Sequence, residues 1–283
     1  MSRLARSSHL QPFRLGRRVA VVTARAMVTA VAGLACAAPA GAVIGGTFNG
    51  ARHPYAGAAD GGPVGGPVQF GSGVLISPTV FLTVGHGTAH FDAAGVTRVR
   101  VTFDPVVSDS STWYEGTVHT NPAYDPSAQG QRGDFADLGM IVFDAPIPGI
   151  TPASVPTAGY LDPISGHPRF EIPGYGVSRY LGGSDGGGKR RLDYSSGGTR
   201  NLAEEAFTSL SPGWLRLRAA GSAEICSGDS GSPSILSGTN LVAGLTAAAA
   251  EHLVARSKVL DIAADRLDLR SYVASRYLTP RLA

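Results

Sequence analysis

Gln69–His86, QFGSGVLISPTVFLTVGH, is the stretch on which the fold turns. Two apolar runs, Val74–Ile76 and Val80–Val84, flank Ser77-Pro78-Thr79. Proline fixes its own φ and has no amide donor, and serine and threonine favour turns, so the pattern predicts two strands joined tightly. The second strand runs directly into Gly85-His86-Gly87, which puts a histidine in a loop between small residues. His90, four residues on, lacks a preceding strand and is expected to be solvated.

The same pattern repeats outward from this hairpin. Arg98–Phe103 (RVRVTF) alternates strictly and predicts a half-buried strand, whereas Leu138–Phe143 (LGMIVF) is almost continuously apolar. Phe170–Tyr175 and Leu215–Arg218 are further strands, and Ser232–Leu236 pairs with Leu241–Thr246 around Ser237-Gly238-Thr239-Asn240. Leu181–Thr199 (LGGSDGGGKRRLDYSSGGT) is too polar and glycine-rich to pack and predicts a flexible loop. Helical spacing occurs only near the end, where Leu269, Val273 and Tyr277 lie four apart within Asp265–Tyr277. With 38 glycines and 19 prolines among 283 residues, short strands and turns should dominate. The expected class is all-β, a barrel or sandwich, with one terminal helix.

Residues 1–42 are read apart from the rest. They hold Arg3, Arg6, Arg14, Arg17, Arg18 and Arg25 and no acidic residue. The apolar run Ala26–Ala38 is too short for a membrane span, and Ala40-Gly41-Ala42 fits a small-x-small cleavage site. This is the pattern of a secretory signal peptide, and it places the protein outside the cell. Arg17-Arg18 is either a twin-arginine signal or part of an ordinary basic leader. Those six arginines account for the formal charge of +3. Without them 18 basic residues face 21 acidic ones, a net −3. A nucleic-acid or anionic-membrane role therefore has no electrostatic support. Cys36 falls in the leader, so Cys226 is left without an intrachain disulfide partner. It is read either as a buried small hydrophobe or as the site of an intermolecular bridge.

Three segments carry chemistry. Cys226-Ser-Gly-Asp-Ser230-Gly-Ser-Pro233 is a tight polar turn before a strand. A serine hydroxyl needs an adjacent base to become a nucleophile, and glycines at 228 and 231 let backbone amides converge on one point. His86 is the candidate base. Asp137, at the start of the Leu138–Phe143 strand, can be held rigidly to orient an imidazole, with Asp134 as its competitor.

The order His86, Asp137, Ser230, with a Gly-Asp-Ser-Gly turn, resembles the trypsin/chymotrypsin family of serine peptidases, and in particular its secreted bacterial members with few disulfides. Val43-Ile-Gly-Gly46 is similar to the mature amino terminus of that family. The resemblance implies two six-stranded antiparallel β-barrels followed by a C-terminal helix, with segments 43–160 and 161–283 as the two halves. It implies a catalytic triad of His86, Asp137 and Ser230 and an oxyanion hole from the amides of Gly228 and Ser230. It further implies a monomer that acts on protein or peptide substrates without metal or cofactor.

Counting six residues back from Ser230 puts Glu224 at the floor of the specificity pocket, where an acid would favour a basic P1 side chain. The alternatives are a solvated loop glutamate or a loop of different length. The resemblance also implies that a freed Val43 amine pairs with Asp229. Two other readings stay open: a protease-fold binding protein without activity, and an esterase on the same triad. The sequence departs from the family at Gly87, where the usual cysteine is missing, and at Val84-Gly85, where Ala-Ala is usual.

Overall fold

A computed structural model describes residues 43–60, 70–128, 136–157, 159–182, 190–211, 214–249 and 256–261. In chain order the strands are β1 (Thr47–Phe48), β2 (Ala56–Asp60), β3 (Phe70–Ser77), β4 (Val80–Thr83), β5 (Arg98–Thr102), β6 (Tyr114–Thr120), β7 (Gly139–Phe143) and β8 (Arg169–Gly174). They continue with β9 (Tyr180–Leu181), β10 (Arg191–Leu192), β11 (Asn201–Ser211), β12 (Trp214–Ala219), β13 (Pro233–Leu236), β14 (Val242–Ala249) and β15 (Arg256–Asp261). A single α-helix among the described residues, α1 (Gly85–Ala93), follows β4. The leader 1–42, Asp134 and the terminal helical pattern 265–277 lie outside the described residues.

The predicted hairpin is β3–β4, in the register Val74↔Leu82 and Leu75↔Phe81, with an irregularity before Ser77↔Val80. It forms part of a closed barrel, β2-β3-β4-β7-β6-β5, whose neighbours are all antiparallel. Phe81, Phe103 and Phe143 fill the barrel with tilted and edge-to-face contacts. Glycines make room for them, since a Cβ on Gly73 would overlap the ring of Phe81. The abundance of glycine thus serves packing as well as turns.

Seven of the remaining strands form a sheet, β1-β11-β12-β15-β14-β13-β8, with an additional pairing of β8 to β11, and β9 and β10 pair with each other in a small sheet of their own. The core is continuous between sheet and barrel: Trp214, Ile235, Val242 and Leu245 cluster with Val74, Leu82 and Ile141. A buried cation also links them. Arg200, 1% exposed, donates to the carbonyls of Gly50, Ala56 and Phe103 and to the Tyr175 hydroxyl. Four oxygen partners offset the cost of taking a guanidinium out of water.

Two expectations need correction, and one strand has no counterpart in the sequence reading. His86 is not in a loop; it is the second residue of α1, so helical structure is not confined to the chain's end. The segment Leu181–Thr199 does pack in part. Arg191–Leu192 pairs with Tyr180–Leu181, and Asp193, Ser196 and Thr199 are buried. The physical reason is that side chains satisfy the backbone there, with Asp193 accepting the Ser195 amide and the Arg179 guanidinium. Finally, Asn201–Ser211 is a full strand that hydropathy hides, because Glu204 and Glu205 interrupt its apolar positions.

Candidate active site

Strand pairing decides where His86 and Asp137 meet. β4 and β7 are neighbours, with Thr83 opposite Gly139. His86 lies three residues beyond Thr83, and Asp137 two before Gly139. The helix packs tightly onto β7 because both chains carry glycine at the crossing. A Cβ on Gly139 would overlap Thr88, and one on Gly85 would sit 3.0 Å from backbone atoms of Leu138.

The first turn of a helix leaves backbone amides without intrahelical partners, and Val84 at the N-cap offers no side-chain acceptor. Asp137 supplies it from the neighbouring strand. Its Oδ1 accepts the His86 backbone N–H at 2.6 Å, and its Oδ2 lies 2.9 Å from His86 Nδ1. Asp137 is 1% exposed, so its carboxylate is confined to this geometry. The His86 ring is one-fifth exposed, and its other nitrogen is left for a second partner. His90 on the same helix is exposed, as anticipated.

Ser230 sits in a turn built on two left-handed glycines, Gly228 at φ 90° and Gly231 at φ 86°. The turn abuts the barrel so closely that a Cβ on Gly231 would overlap the Ser72 carbonyl and the Thr83 hydroxyl. Ser72 N–H donates to the Ser230 carbonyl (2.9 Å), and Thr83 Oγ1 donates to the Ser72 carbonyl (2.8 Å). Ser230 is therefore fastened to β3, the strand beside the one that leads into His86. Among the described residues neither Ser230 Oγ nor His86 Nε2 has a hydrogen-bond partner, and the same holds for the amides of Gly228 and Ser230.

Asp229 points inward and is fully buried. Its Oδ1 accepts from Gly176 N–H and its Oδ2 from Cys226 N–H, both at 2.9 Å. Burial pushes its carboxyl up to about 7, against the pull of those two amides. Val43 is also buried, in a cluster with Leu161, Phe170, Ile172 and Ile225, at φ 64°. Next to it, Ile44 and Glu224 exchange backbone hydrogen bonds of 3.0 and 2.8 Å. The Glu224 side chain is half-buried and accepts from the Tyr180 hydroxyl at 3.0 Å. Burial and this bond raise the Tyr180 phenol above its ordinary range. Cys226 is half-buried.

Sequence reasoning singled out neither Ser72 nor Thr83, nor the cradle Gly174-Tyr175-Gly176 on which Asp229 rests. A Cβ on Gly174 would overlap the Asp229 carboxylate, and one on Gly176 would lie 2.5 Å from the Ser227 carbonyl. Their only trace in the sequence is paired glycines: Gly71 and Gly73 flank Ser72 within β3, and Gly174 and Gly176 flank Tyr175 at the end of β8. No group of three or more histidine, cysteine or acidic side chains suited to a metal ion occurs among the described residues.

No protein-family model matches the chain. No curated protein matches it either. Solved structures do. HL collagenase aligns at 15% identity with a TM-score of 0.62, covering 81% of this chain and 97% of that one. Human heparin binding protein aligns at 18% identity and TM-score 0.61, covering 82% and 97%. The protein named GrC aligns at 14% identity and TM-score 0.60, covering 81% and 98%. At such identities the likeness establishes architecture alone, and that architecture is the chymotrypsin-type serine-protease fold.

Proposed function

We propose that this chain is a secreted serine endopeptidase that cleaves peptide bonds through an acyl-enzyme, with Ser230 as nucleophile, His86 as general base and Asp137 as its orienting carboxylate. The observation that carries this is the double grip of Asp137 on His86, through the backbone amide and through Nδ1. A carboxylate so placed fixes the tautomer that leaves Nε2 able to take a proton, and it stabilises the imidazolium that results. The Ser230 hydroxyl transfers its proton to His86 Nε2 as Oγ attacks the scissile carbonyl. The Gly228 and Ser230 amides receive the oxyanion, His86 returns the proton to the leaving amine, and water clears the ester. Transfer within the triad needs Ser230 Oγ and His86 Nε2 to pair as substrate binds.

The return pairing of β8 with β11 supports reading the larger sheet as the second six-stranded barrel, over 161–283, with 43–160 as the first. The proposed activation draws on the burial of Val43 and of the Asp229 carboxylate. Cleavage after Ala42 frees an α-amine whose charge complements that carboxylate. Secretion accords with the leader composition, and a monomer is what the family resemblance implies; no helix among the described residues is long and apolar enough to cross a membrane. A basic P1 residue is the complement of Glu224, and peptides varied at P1 test this. Arg or Lys should exceed Phe or Leu, and equal turnover removes Glu224 from the pocket.

The test of the main reading is fluorophosphonate labelling of the secreted protein with mass mapping to Ser230. Ser230→Ala should abolish labelling and lower turnover about 10⁶-fold. A well-folded wild type that resists the probe favours the second reading, a non-catalytic binding protein. The unpaired Ser230 hydroxyl is the observation on its side, and one structural neighbour bears the name heparin binding protein. Relative rates on matched amides and esters separate an esterase from a peptidase.

A further inference from the structure

Three successive peptides make up the turn around Ser230, and a peptide is planar, with N–H and C=O pointing in opposite directions. Holding a carbonyl therefore aims the amide of the same peptide. The Ser227 carbonyl accepts from Val177 N–H at 2.8 Å, which turns the Gly228 amide the other way. The Asp229 carbonyl accepts from Ser232 N–H at 2.9 Å, which does the same for the Ser230 amide. Both anchors are backbone groups, indifferent to side-chain identity. The middle peptide is held on both sides, and one of its anchors is a side chain. Its N–H, on Asp229, donates to the Cys226 carbonyl at 3.0 Å. Its carbonyl, Gly228 O, accepts from the Ser72 hydroxyl at 2.9 Å. That hydroxyl in turn accepts from Tyr175 N–H at 3.0 Å.

We propose that Ser72 is a positioning residue for the oxyanion turn, its hydroxyl locking the Gly228–Asp229 peptide to β3 and to the Gly174-Tyr175-Gly176 cradle. This rests on the peptidase reading for its consequence in catalysis, but the lock itself is a matter of conformation. Three features set it apart from an ordinary buried serine. The residue is 1% exposed, so water does not replace the hydroxyl freely. Its hydroxyl serves one donor and one acceptor that are 53 residues apart in sequence, Tyr175, which adjoins the Gly176 amide that holds Asp229, and Gly228, which adjoins Asp229 itself. Its own N–H and C=O engage the Ser230 carbonyl and the Thr83 hydroxyl, so the side chain has no freedom to move away from the turn. Gly228 at φ 90° has no Cβ to resist rotation, so the carbonyl side of this peptide relies on the Ser72 hydroxyl while the Cys226 carbonyl holds its N–H.

Ser72→Ala leaves a buried acceptor and a buried donor unpaired, and the middle peptide then keeps only the Asp229 N–H bond to the Cys226 carbonyl, which loosens its carbonyl side. With the peptidase active, the variant should lose about 10- to 100-fold in kcat with KM within about twofold, because the oxyanion donors act on the transition state and not on the ground state. Affinity for a peptide aldehyde, whose adduct carries the oxyanion, should fall in parallel, which a general loss of packing would not produce selectively. Ser72→Thr keeps the hydroxyl and should recover most of the loss, and it serves as the folded comparison if the alanine variant is unstable. Amide hydrogen exchange and chemical shifts of Gly228, Asp229 and Ser230, compared between wild type and Ser72→Ala, read the lock without any turnover. Perturbation of those amides supports the proposal even where wild type proves inert, an outcome that would remove only the peptidase reading. Unchanged amides, or a loss in kcat matched by KM and not restored by threonine, overturn it.

Discussion

The Asp137 carboxylate caps the first turn of α1 through the His86 backbone amide and, with its other oxygen, faces the imidazole of the same residue. One side chain thus sets both the backbone position and the ring orientation of His86. Asp137→Asn keeps a backbone acceptor but presents an amide to Nδ1 in one of its orientations. It should cut kcat about 10⁴-fold while leaving the helix in place. Amide hydrolysis together with far-ultraviolet circular dichroism checks this: loss of activity with loss of structure would contradict the separation.

Gly231 and Gly71 provide a matched pair. A methyl group on Gly231 would be driven into the Ser72 carbonyl and the Thr83 hydroxyl at a φ that disfavours alanine, whereas a Cβ on Gly71 meets nothing within 4 Å. Gly231→Ala should cost about 3 kcal/mol of stability and abolish labelling of Ser230. Gly71→Ala should be close to neutral. Urea unfolding of the two variants is the measurement.

Asp229 makes the uncleaved chain sensitive to pH. Its carboxyl titrates at about 7 when folded, against an ordinary value of 3.8. Between those limits the folded chain holds a proton that the unfolded chain has released, so stability rises as pH falls from 7 towards 4. Relative to Asp229→Asn, the slope should approach roughly 1.4 kcal/mol per pH unit within that window. In protein that begins at Val43 the new ammonium should suppress the slope. Unfolding free energies of both forms across the window decide the point, and a slope that persists after cleavage would sink the proposed pairing.

His53 acts in the opposite sense. It is buried, with Nε2 3.0 Å from Glu171 Oε2 and Nδ1 2.9 Å from the Asn49 amide nitrogen. An amide nitrogen only donates, so Nδ1 accepts and Nε2 carries the proton. Burial holds the imidazole below its ordinary 6.5, with help from Arg52 and Arg200 and against the pull of Glu171. Below 6.5 the unfolded chain takes up a proton that the folded chain resists, so this residue costs stability as pH falls. His53→Gln should remove that acid-side loss. Thermal unfolding of the variant between pH 7 and 5, set against wild type, gives the sign directly.

Much of the barrel can be read from the sequence because its signals are local. The apolar runs around Ser77-Pro78-Thr79 specify β3 and β4, and Leu138–Phe143 specifies β7. The approach of His86 to Asp137 then follows from β4 lying beside β7, a neighbourhood that the family resemblance implies and hydropathy alone does not. What escapes is non-local. Helix α1 has no apolar stripe, since glycines and Thr88 mediate its contact with β7. β11 buries Glu205, which reads as a surface residue. Ser72 contacts residues 103 and 156 positions away, so no window on the sequence reveals its work.

The apolar cluster in which Trp214, Ile235, Val242 and Leu245 join Val74, Leu82 and Ile141 has a consequence for folding. Neither portion of the chain completes its interior alone, so the molecule should melt in one all-or-none transition. Segments 43–160 and 161–283 produced separately should each stay unfolded, and mixing them should restore a shared structure. The contact that fastens the Ser230 turn to β3 then lies on the seam along which the two parts make each other stable.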